Sequence, residues 1–299
     1  MARYKFYTAD VFTDVRFGGN PLAVLTDARG LDSAAMRTIT REFNYSESVF
    51  VLPPENPSHT RKVRIFTPGA EMPFAGHPTV GTAFILAASG EIPLTGDVTQ
   101  IVLEEGVGPV PVMIRSEAGK PVFSQLSAAR MPEYGPEPPS AADVAAVYGL
   151  SPDDLLGGEY GMEAVSCGVP FLFVPVRGRE ALARVRLDRS RWEQVFAPYW
   201  AREAFLFCFD PERPGSDLRA RMFAPALGVP EDPATGAAAT ALAGYLGRRS
   251  DRMRWVVEQG FEMGRPSILE VELEKTAGHI SAIRVGGASV LVSEGWIEY

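Results

Sequence analysis

The alternation of apolar and polar residues along the chain predicts many short strands and few helices. Strand-like segments in the first part of the chain are Tyr4 to Phe12, Leu22 to Leu25, Ser48 to Leu52, Lys62 to Phe66, 101–103, 110–114 and 122–126. By contrast, Leu31 to Asn44 has apolar residues at helical spacing, with Asp32 or Ser33 placed to act as its N-cap.

Two longer runs contain no charged residue at all, from Pro78 to Ser89 and from Pro233 to Gly247. A helix that is apolar on every side is buried, and these runs are shorter than the roughly 20 residues that span a bilayer. Proline is favoured at the first helical position, and Asp232 would be a favourable N-cap. We expect buried helices that begin at these prolines, with free N–H groups that attract an anion. The alternative is that both are core helices without a ligand.

The segment before the first run recurs before the second. Arg64-Ile65-Phe66 returns as Arg221-Met222-Phe223 at an offset of 157 residues. After a two-residue deletion, a Pro-x-x-Gly motif recurs at an offset of 155, which places His77 opposite Asp232. The chain is therefore predicted to contain two copies of one structural unit.

The order of elements after residue 132 also repeats that of the first half. A proline-rich connector at 132–139 leads into a predicted helix from Ser140 to Tyr148, and later strands and helices follow the earlier order. We expect an α+β fold with two similar barrel-like domains, each a mostly antiparallel sheet around a central apolar helix. The predicted domains are 1–117, completed by the C-terminal strand 286–299, and 118–285.

Composition excludes several classes of protein. The 299 residues are 46% hydrophobic and 22% charged, which is ordinary for a globular protein. A net charge of -8 argues against a nucleic-acid or anionic-membrane surface. Two cysteines and three histidines without ligand spacing predict no metal site. Scarce cysteine and an N-terminus without an apolar signal segment favour a cytoplasmic location.

Several motifs together resemble one known family over nearly the whole chain. They are Asp10-Val11-Phe12-Thr13, Phe17-Gly18-Gly19-Asn20-Pro21-Leu22-Ala23-Val24, Ser46-Glu47-Ser48-Val49-Phe50, Gly76-His77-Pro78-Thr79-Val80-Gly81-Thr82-Ala83 and Glu231-Asp232-Pro233-Ala234-Thr235-Gly236. In this order they resemble the phenazine-biosynthesis isomerase (PhzF-like) family. The resemblance implies a diaminopimelate-epimerase-like fold and an isomerase without a cofactor. It also implies a homodimer that moves a proton on a small carboxylated substrate.

The resemblance gives roles to individual residues. Glu47 matches the family's general acid/base, whereas a lone glutamate here would otherwise be interpreted as a solvated surface group. A carboxylate in a cleft can accept a proton from carbon and return it. The predicted substrate-binding residues are Ser46, Gly76, His77, Asp232 and Gly236. From the residues alone, interpretation of His77 as a helix cap is favoured over a role in substrate binding.

Two positions differ from related patterns. Ala237 follows Gly236, where the family usually has serine, and the loss of that hydroxyl puts the phenazine-pathway substrate in doubt. Diaminopimelate epimerase and proline racemase use two catalytic cysteines. Here Cys208 lies within a predicted strand and Cys167 lies beside a turn, so we expect Cys208 to be a core residue.

Two alternatives to this isomerase remain open. One is an epimerase or racemase of an amino or hydroxy acid that uses Glu47 and Asp232 as two bases. The other is a binding or interaction protein of the same fold with little turnover. The offset of 157 places Ala204 opposite Glu47 and puts Glu203 on the opposite strand face. We therefore expect a single base, and hence an isomerase.

Overall fold

The computed structural model describes residues 2–299, which form two compact units. One unit extends to Ala129 and includes Val285–Tyr299, and the other is Arg130–Arg284. The predicted domain boundary, between residues 117 and 118, lies in the tight turn between two paired strands of the first unit.

The strands are β1 (Arg3–Val11), β2 (Asn20–Leu25), β3 (Glu47–Leu52), β4 (Arg61–Phe66), β5 (Glu71–Met72), β6 (Val98–Glu105), β7 (Gly108–Glu117), β8 (Lys120–Ser127), β9 (Glu133–Tyr134), β10 (Glu163–Ser166), β11 (Pro170–Pro175), β12 (Glu203–Cys208), β13 (Leu218–Ala224), β14 (Val229–Asp232), β15 (Arg254–Gln259), β16 (Ser267–Thr276), β17 (His279–Gly287) and β18 (Ser289–Glu298). The α-helices are α1 (Ser33–Phe43), α2 (Gly76–Ala88), α3 (Ala141–Val147), α4 (Arg179–Arg184), α5 (Arg189–Val195) and α6 (Gly236–Gly247). Short 3₁₀ turns lie at Pro152–Asp154, Gly158–Tyr160, Pro225–Leu227 and Phe261–Met263.

In the first unit, a curved sheet surrounds α2. The pairing runs from β18 through β1 to β2 antiparallel, β2 to β3 parallel, β3 to β4 antiparallel, β4 to β6 parallel, and β6 through β7 to β8 antiparallel. α2 contacts β1, β2, β3, β7, β8 and β18, and every residue from Gly76 to Ala87 is buried. A Cβ at Gly81 would lie 2.5 Å from Val11 Cγ2, so only glycine lets the helix lie this close to β1. The predicted buried helix is confirmed.

The outer face of this sheet is covered by α1. Asp32 is its N-cap and accepts a hydrogen bond from the backbone N–H of Ala35 at 2.8 Å. Met36 and Ile39 of α1 pack against Phe50 of β3. Because side chains alternate along a strand, the residues next to Phe50 face the other way, towards α2.

The second unit repeats this topology. β10 to β11 is antiparallel, β11 to β12 parallel, β12 to β13 antiparallel, β13 to β15 parallel and β15 to β16 antiparallel. α6 contacts β10, β11 and β16 and takes the place of α2, while α3, α4 and α5 contribute to the outer core. The predicted α+β fold, with a central apolar helix in each of two similar units, is confirmed.

The predicted starts of the two central helices are wrong. α2 begins at Gly76 and α6 at Gly236, not at the prolines. Their N-cap residues are Ala75 and Thr235, so Asp232 does not cap α6. Asp232 is instead the last residue of β14, where its backbone takes part in the sheet.

The sheet register also corrects the alignment of the repeat. Met72 of β5 pairs with Ile65, whereas Asp232 of β14 pairs with Met222. Because Ile65 and Met222 are equivalent in the repeat, Asp232 is equivalent to Met72, and its predicted equivalence to His77 is wrong. Of residues 2–299, no helix combines the length and hydropathy that crossing a membrane requires.

Candidate active site

Glu47 is the first residue of β3 and faces the central helix of its unit. Its neighbour in the parallel strand β2 is Leu22. Because Phe50 packs against α1 on the outer face, Glu47 and Val49 project to the inner face by alternation. The side chain of Glu47 is 15% exposed, so its carboxylate lies at a mostly dry position that solvent still reaches.

His77 is the second residue of α2 and lies next to that carboxylate. Its Nε2 is 3.4 Å from Glu47 Oε2, and its side chain is 4% exposed. A protonated imidazole at this distance would form an ion pair, but burial lowers the pKa of His77 to about 3. The contact at neutral pH is therefore between a carboxyl group and a neutral imidazole.

Asn20, at the start of β2, orients the imidazole ring. Its amide Nδ2 lies 3.1 Å from His77 Nδ1, and the whole residue is buried. With the amide nitrogen donating, Nδ1 is the acceptor and the single proton of the neutral ring is on Nε2, the atom that faces Glu47. Three residues that are far apart in sequence thus form the chain Asn20–His77–Glu47.

The loop before Asn20 is held by another carboxylate. Asp10 is 3% exposed, and its Oδ2 accepts a hydrogen bond from the backbone N–H of Phe17 at 2.6 Å. Gly19 has φ +59°, and a Cβ there would lie 2.4 Å from the carbonyl oxygen of Val11. Asp10 and Gly19 therefore hold the loop that positions Asn20. Both residues lie in motifs on which the family resemblance depends. Without that resemblance, the sequence predicted only a turn here.

The other predicted residues of the first unit lie beside this chain. Ser46 is half-buried and directly precedes β3, and Gly76 is buried and is the first residue of α2. No side chain of residues 2–299 caps the N-terminus of α2, so its first N–H groups remain available as donors.

In the second unit, Asp232 belongs to a buried polar cluster before α6. Its Oδ2 accepts a hydrogen bond from Thr235 Oγ1 at 2.6 Å. The fully buried Gln259 donates to the backbone oxygen of Asp232 at 2.8 Å and accepts from the backbone N–H of Thr235 at 3.1 Å. A Cβ at Gly260 would lie 2.5 Å from the oxygen of Pro233, which explains a glycine next to Gln259. Gln259 was not identified from the sequence.

Gly236 is buried and begins α6, as Gly76 begins α2. The next residue is half-buried Ala237, so it is the equivalent of His77. The second unit therefore has a methyl group at the position that carries the imidazole in the first unit.

The predicted orientation of Glu203 is wrong. In the sheet, Glu203 pairs with Phe171 of β11, as Glu47 pairs with Leu22 of β2. Ala204 packs into the outer core, so Glu203 faces the inner side of its sheet and is the structural equivalent of Glu47. Burial raises the pKa of Glu203 to about 7; the charge of Arg202 and, to a lesser extent, a hydrogen bond from the backbone N–H of Ala226 partly offset this rise.

The two cysteines are buried, and burial raises the pKa of Cys167 to about 12 and that of Cys208 to about 11. Such thiols are protonated and poorly nucleophilic at neutral pH. Cys208 contributes to the outer core of its unit. Within residues 2–299, no group of three or more His, Cys, Asp or Glu side chains is placed to hold a metal ion.

The chain is similar to known proteins along nearly its whole length. The family model "Phenazine biosynthesis-like protein" matches residues 9–295. An uncharacterized isomerase from Mesorhizobium japonicum is 41% identical, with 99% of each chain covered. Trans-2,3-dihydro-3-hydroxyanthranilate isomerase from Pseudomonas aeruginosa is 33% identical, with 98% of each covered.

Solved structures have the same fold. A PhzF-family phenazine biosynthesis protein from Bacillus anthracis superimposes with a TM-score of 0.88 at 25% identity, over 100% of both chains. A hydroxyproline epimerase from Agrobacterium vitis shares the fold alone, with a TM-score of 0.65 at 13% identity, over 99% of this chain and 91% of that one.

Proposed function

This chain belongs to the phenazine biosynthesis-like family and is an isomerase, and from that premise we propose that Glu47 moves a proton between carbons of a small carboxylated substrate. The reaction needs one group that removes a proton from carbon and returns it elsewhere on the same face. The proposal needs no cofactor, because the carboxyl group itself carries the proton.

The contact between Glu47 and the neutral His77 supports this role. A neutral Nε2–H can donate a hydrogen bond to the carboxylate or to a substrate oxygen, and it keeps its own proton while it does so. A charged imidazolium would instead hold the carboxylate in an ion pair and make it a weaker base. The fixed ring orientation given by Asn20 keeps the donor facing Glu47 throughout the cycle.

The start of α2 supports an anionic substrate. Gly76 and His77 are the first two residues of a helix without a side-chain cap among residues 2–299, and helix N-termini favour carboxylates. We propose that the substrate carboxylate accepts hydrogen bonds there, with Ser46 as a further donor. Asp232 is proposed to bind an amine or hydroxyl of the substrate, and Gly236 to allow close approach of the backbone.

The substrate is proposed to differ from that of the phenazine-pathway relatives. Ala237 has no hydroxyl to offer a ligand, whereas the family usually has serine at this position. We further propose, from the family resemblance, that the protein is a cytoplasmic homodimer.

Solvent-deuterium incorporation tests the proposal. The protein is incubated in heavy water with a panel of small carboxylated metabolites that includes trans-2,3-dihydro-3-hydroxyanthranilate, and each compound is analysed by mass spectrometry. Turnover of the identified substrate should fall at least about 100-fold in Glu47→Gln, the usual contribution of a general acid/base. A Glu47→Gln variant with wild-type turnover would refute the role of Glu47.

A two-base epimerase is the second candidate. The observation that favours it is Glu203, a buried equivalent of Glu47 whose pKa lies near 7. This finding removes the expected asymmetry between the two units that had argued for a single base. The stereochemistry of the product distinguishes an epimerase from a single-base isomerase. Two bases would be established by a product with an inverted centre, together with an Asp232→Asn or Glu203→Gln variant that still exchanges the proton of one enantiomer.

A further inference from the structure

The segment that leads into α6 contains three hydrogen-bonded polar residues whose donors and acceptors can be assigned from their contacts. They are Asp232 at the end of β14, Thr235 at the N-cap of α6 and Gln259 at the end of β15. None of the three is more than 8% exposed. Buried polar groups are almost always hydrogen-bonded within the protein, so their partners define their roles.

Two backbone groups fix the orientation of the Gln259 amide. The backbone N–H of Thr235 donates to Gln259 Oε1 at 3.1 Å, and Gln259 Nε2 donates to the backbone oxygen of Asp232 at 2.8 Å. A backbone N–H can only donate and a backbone carbonyl can only accept. Exchanging the oxygen and nitrogen of the amide would therefore break both contacts, and Gln259 has a single allowed orientation.

The second proton of Gln259 Nε2 fixes the hydroxyl group of Thr235. Nε2 lies 2.9 Å from Thr235 Oγ1, and an amide nitrogen donates but does not accept. Thr235 Oγ1 is the acceptor of this bond, and it donates its own single proton to Asp232 Oδ2 at 2.6 Å. The hydrogen bonds thus run in one direction, from Gln259 through Thr235 to Asp232. We call these three residues the Gln259 relay.

A different residue takes the position of Gln259 in the first unit. Glu104 and Glu258 pair with strand residues that are equivalent in the repeat, so they are themselves equivalent. The residues that follow them are Glu105, the last of β6, and Gln259. Glu105 is also buried, but its Oε1 accepts a hydrogen bond from the hydroxyl group of Thr79 at 2.6 Å. A carboxyl group lacks the two N–H donors that the relay uses.

The other two members of the relay are replaced as well. Met72 is the equivalent of Asp232, and Ala75, the N-cap of α2, is the equivalent of Thr235. α2 nevertheless begins at the same position as α6, so the start of a central helix does not require the relay. Amide, hydroxyl and carboxylate are present together in one unit and replaced together in the other. This pattern indicates that the amide and hydroxyl groups serve the carboxylate.

We propose that Gln259, acting through Thr235, is a positioning residue that presents Asp232 to the substrate as a hydrogen-bond acceptor. This role rests on the proposed binding of substrate by Asp232. A carboxylate held as an acceptor binds a group that donates, a protonated amine or a hydroxyl, and disfavours a carbonyl oxygen or a second carboxylate. Gln259 therefore helps to select the functional group of the substrate, although it is fully buried and acts through its neighbours.

Proton NMR tests the direction of the relay without a substrate. In the wild-type protein, the hydroxyl proton of Thr235 and both side-chain amide protons of Gln259 should exchange slowly with water and give separate resonances. Asp232→Asn should move the hydroxyl resonance upfield, because an amide oxygen is a weaker acceptor than a carboxylate. A hydroxyl resonance that Asp232→Asn leaves unchanged would show that Thr235 does not donate to Asp232 and would overturn the proposal.

Kinetics with the panel compound that exchanges deuterium test the role of the relay in binding. Thr235→Val keeps the shape of the side chain but lacks the hydroxyl group. Gln259→Glu introduces the residue type of the first unit, which draws the hydroxyl proton of Thr235 away from Asp232. Each variant should raise KM about tenfold or more, the effect of one hydrogen bond to a charged group, with kcat within about threefold of wild type. Thr235→Ser keeps the hydroxyl group and should recover most of the loss.

The Asp232→Asn background separates a positioning role from a merely structural one. If the relay acts through Asp232, neither Gln259→Glu nor Thr235→Val should raise KM more than about twofold further once Asp232→Asn is present. Thr40→Val is the matched control, because the buried hydroxyl group of Thr40 donates to the backbone oxygen of Met36 within α1 at 2.9 Å, outside the relay. This variant should leave KM unchanged.

Failure of this proposal is distinguishable from failure of the proposed function. Additive losses in the double variants, or a fall in kcat at constant KM, would overturn the role of Gln259 and leave that of Glu47 intact. Wild-type turnover in Glu47→Gln would instead refute the proposed reaction. The hydroxyl resonance of Thr235 would still show whether the relay ends at Asp232, and it is first measured on the wild-type protein.

Discussion

The protonation of Glu105 has a consequence for stability that can be worked out from its pKa. Burial raises this pKa from 4.5 to about 8, while in the unfolded chain the group is solvated and ordinary. Between these two pH values the native protein keeps a proton that the unfolded chain has lost. The free energy of unfolding therefore falls by about 1.4 kcal/mol for each pH unit, or roughly 5 kcal/mol over the whole range.

Glu105→Gln removes this titration while keeping a similar shape. The glutamine side-chain oxygen can accept the hydrogen bond that Thr79 Oγ1 donates to Glu105 Oε1, so this contact is preserved. We expect the variant to gain stability relative to wild type as the pH rises from about 5 to 8, and the difference to remain constant above pH 8. Because the group's pKa is raised, its contribution is fully present below its unfolded value and is lost as the pH rises.

The assay is pulsed hydrogen exchange along a urea titration, analysed by mass spectrometry of peptides from α2. It follows the unfolding of the first unit separately from that of the second, which matters because two units need not unfold in one transition. Glu55→Gln controls for the loss of one negative charge. Parallel pH profiles for wild type and Glu105→Gln between pH 5 and 8 would show that Glu105 is ionised in the native protein and would refute the reasoning.

Other expectations concern the candidate active site. Nitrogen NMR of His77 should show a neutral ring from pH 5 to 8, and the protein should lose stability as the pH falls from 6.5 towards 3; an imidazolium signal at pH 6 would contradict this. Asn20→Ala should lower kcat and allow both ring tautomers in the NMR spectrum, whereas an unchanged tautomer would exclude its positioning role. Asp232→Asn should mainly raise KM for the true substrate, and a fall in kcat alone would exclude simple binding. Sedimentation at micromolar concentration should give about twice the 32.4 kDa mass of one chain, and a single species of that mass would exclude the homodimer.

The central helices were predictable because burial on every side imposes a strong constraint on sequence. A charged residue anywhere between Pro78 and Ala87 would have faced a strand of the surrounding sheet, and the run contains none. The N-cap of α1 was predictable for a similar reason, since Asp32 acts on a backbone group only three residues away. Local and periodic signals of this kind require no knowledge of which distant segments meet.

The exact pairing of the two halves was not predictable from one sequence. The first copy contains Pro-x-x-Gly twice, at Pro73 and at Pro78, and the second copy aligns with either. Spacing alone favoured Pro78, but the register of β14 on β13 selects Pro73. A motif search cannot detect a three-residue difference in loop length between the two copies. The hydrogen bonds between the strands, in contrast, permit only one of the two alignments.

Asn20, Gln259 and Glu105 were missed because each acts on a partner far along the chain. Asn20 and His77 are separated by 57 residues, and Gln259 and Thr235 by 24. A single buried amide or carboxyl group leaves no periodic signal in a sequence. A family motif pointed to the segment around Asn20, but its contact with the imidazole emerged only from the packing of α2 against β2.

The corrected alignment changes the basis of the single-base proposal. Glu47 has an equivalent in Glu203, so the presence of a carboxyl group at this position does not distinguish the two units. The imidazole does, because the residue equivalent to His77 is Ala237, which can neither donate nor accept a hydrogen bond through its side chain. Glu203 also accepts a hydrogen bond from the backbone N–H of Ala226, which ties it to the following loop. Of the two equivalent glutamates, Glu47 alone has an imidazole at the matching helix position, and the single-base proposal depends on His77 having no counterpart in the second unit, not on Glu47 having none.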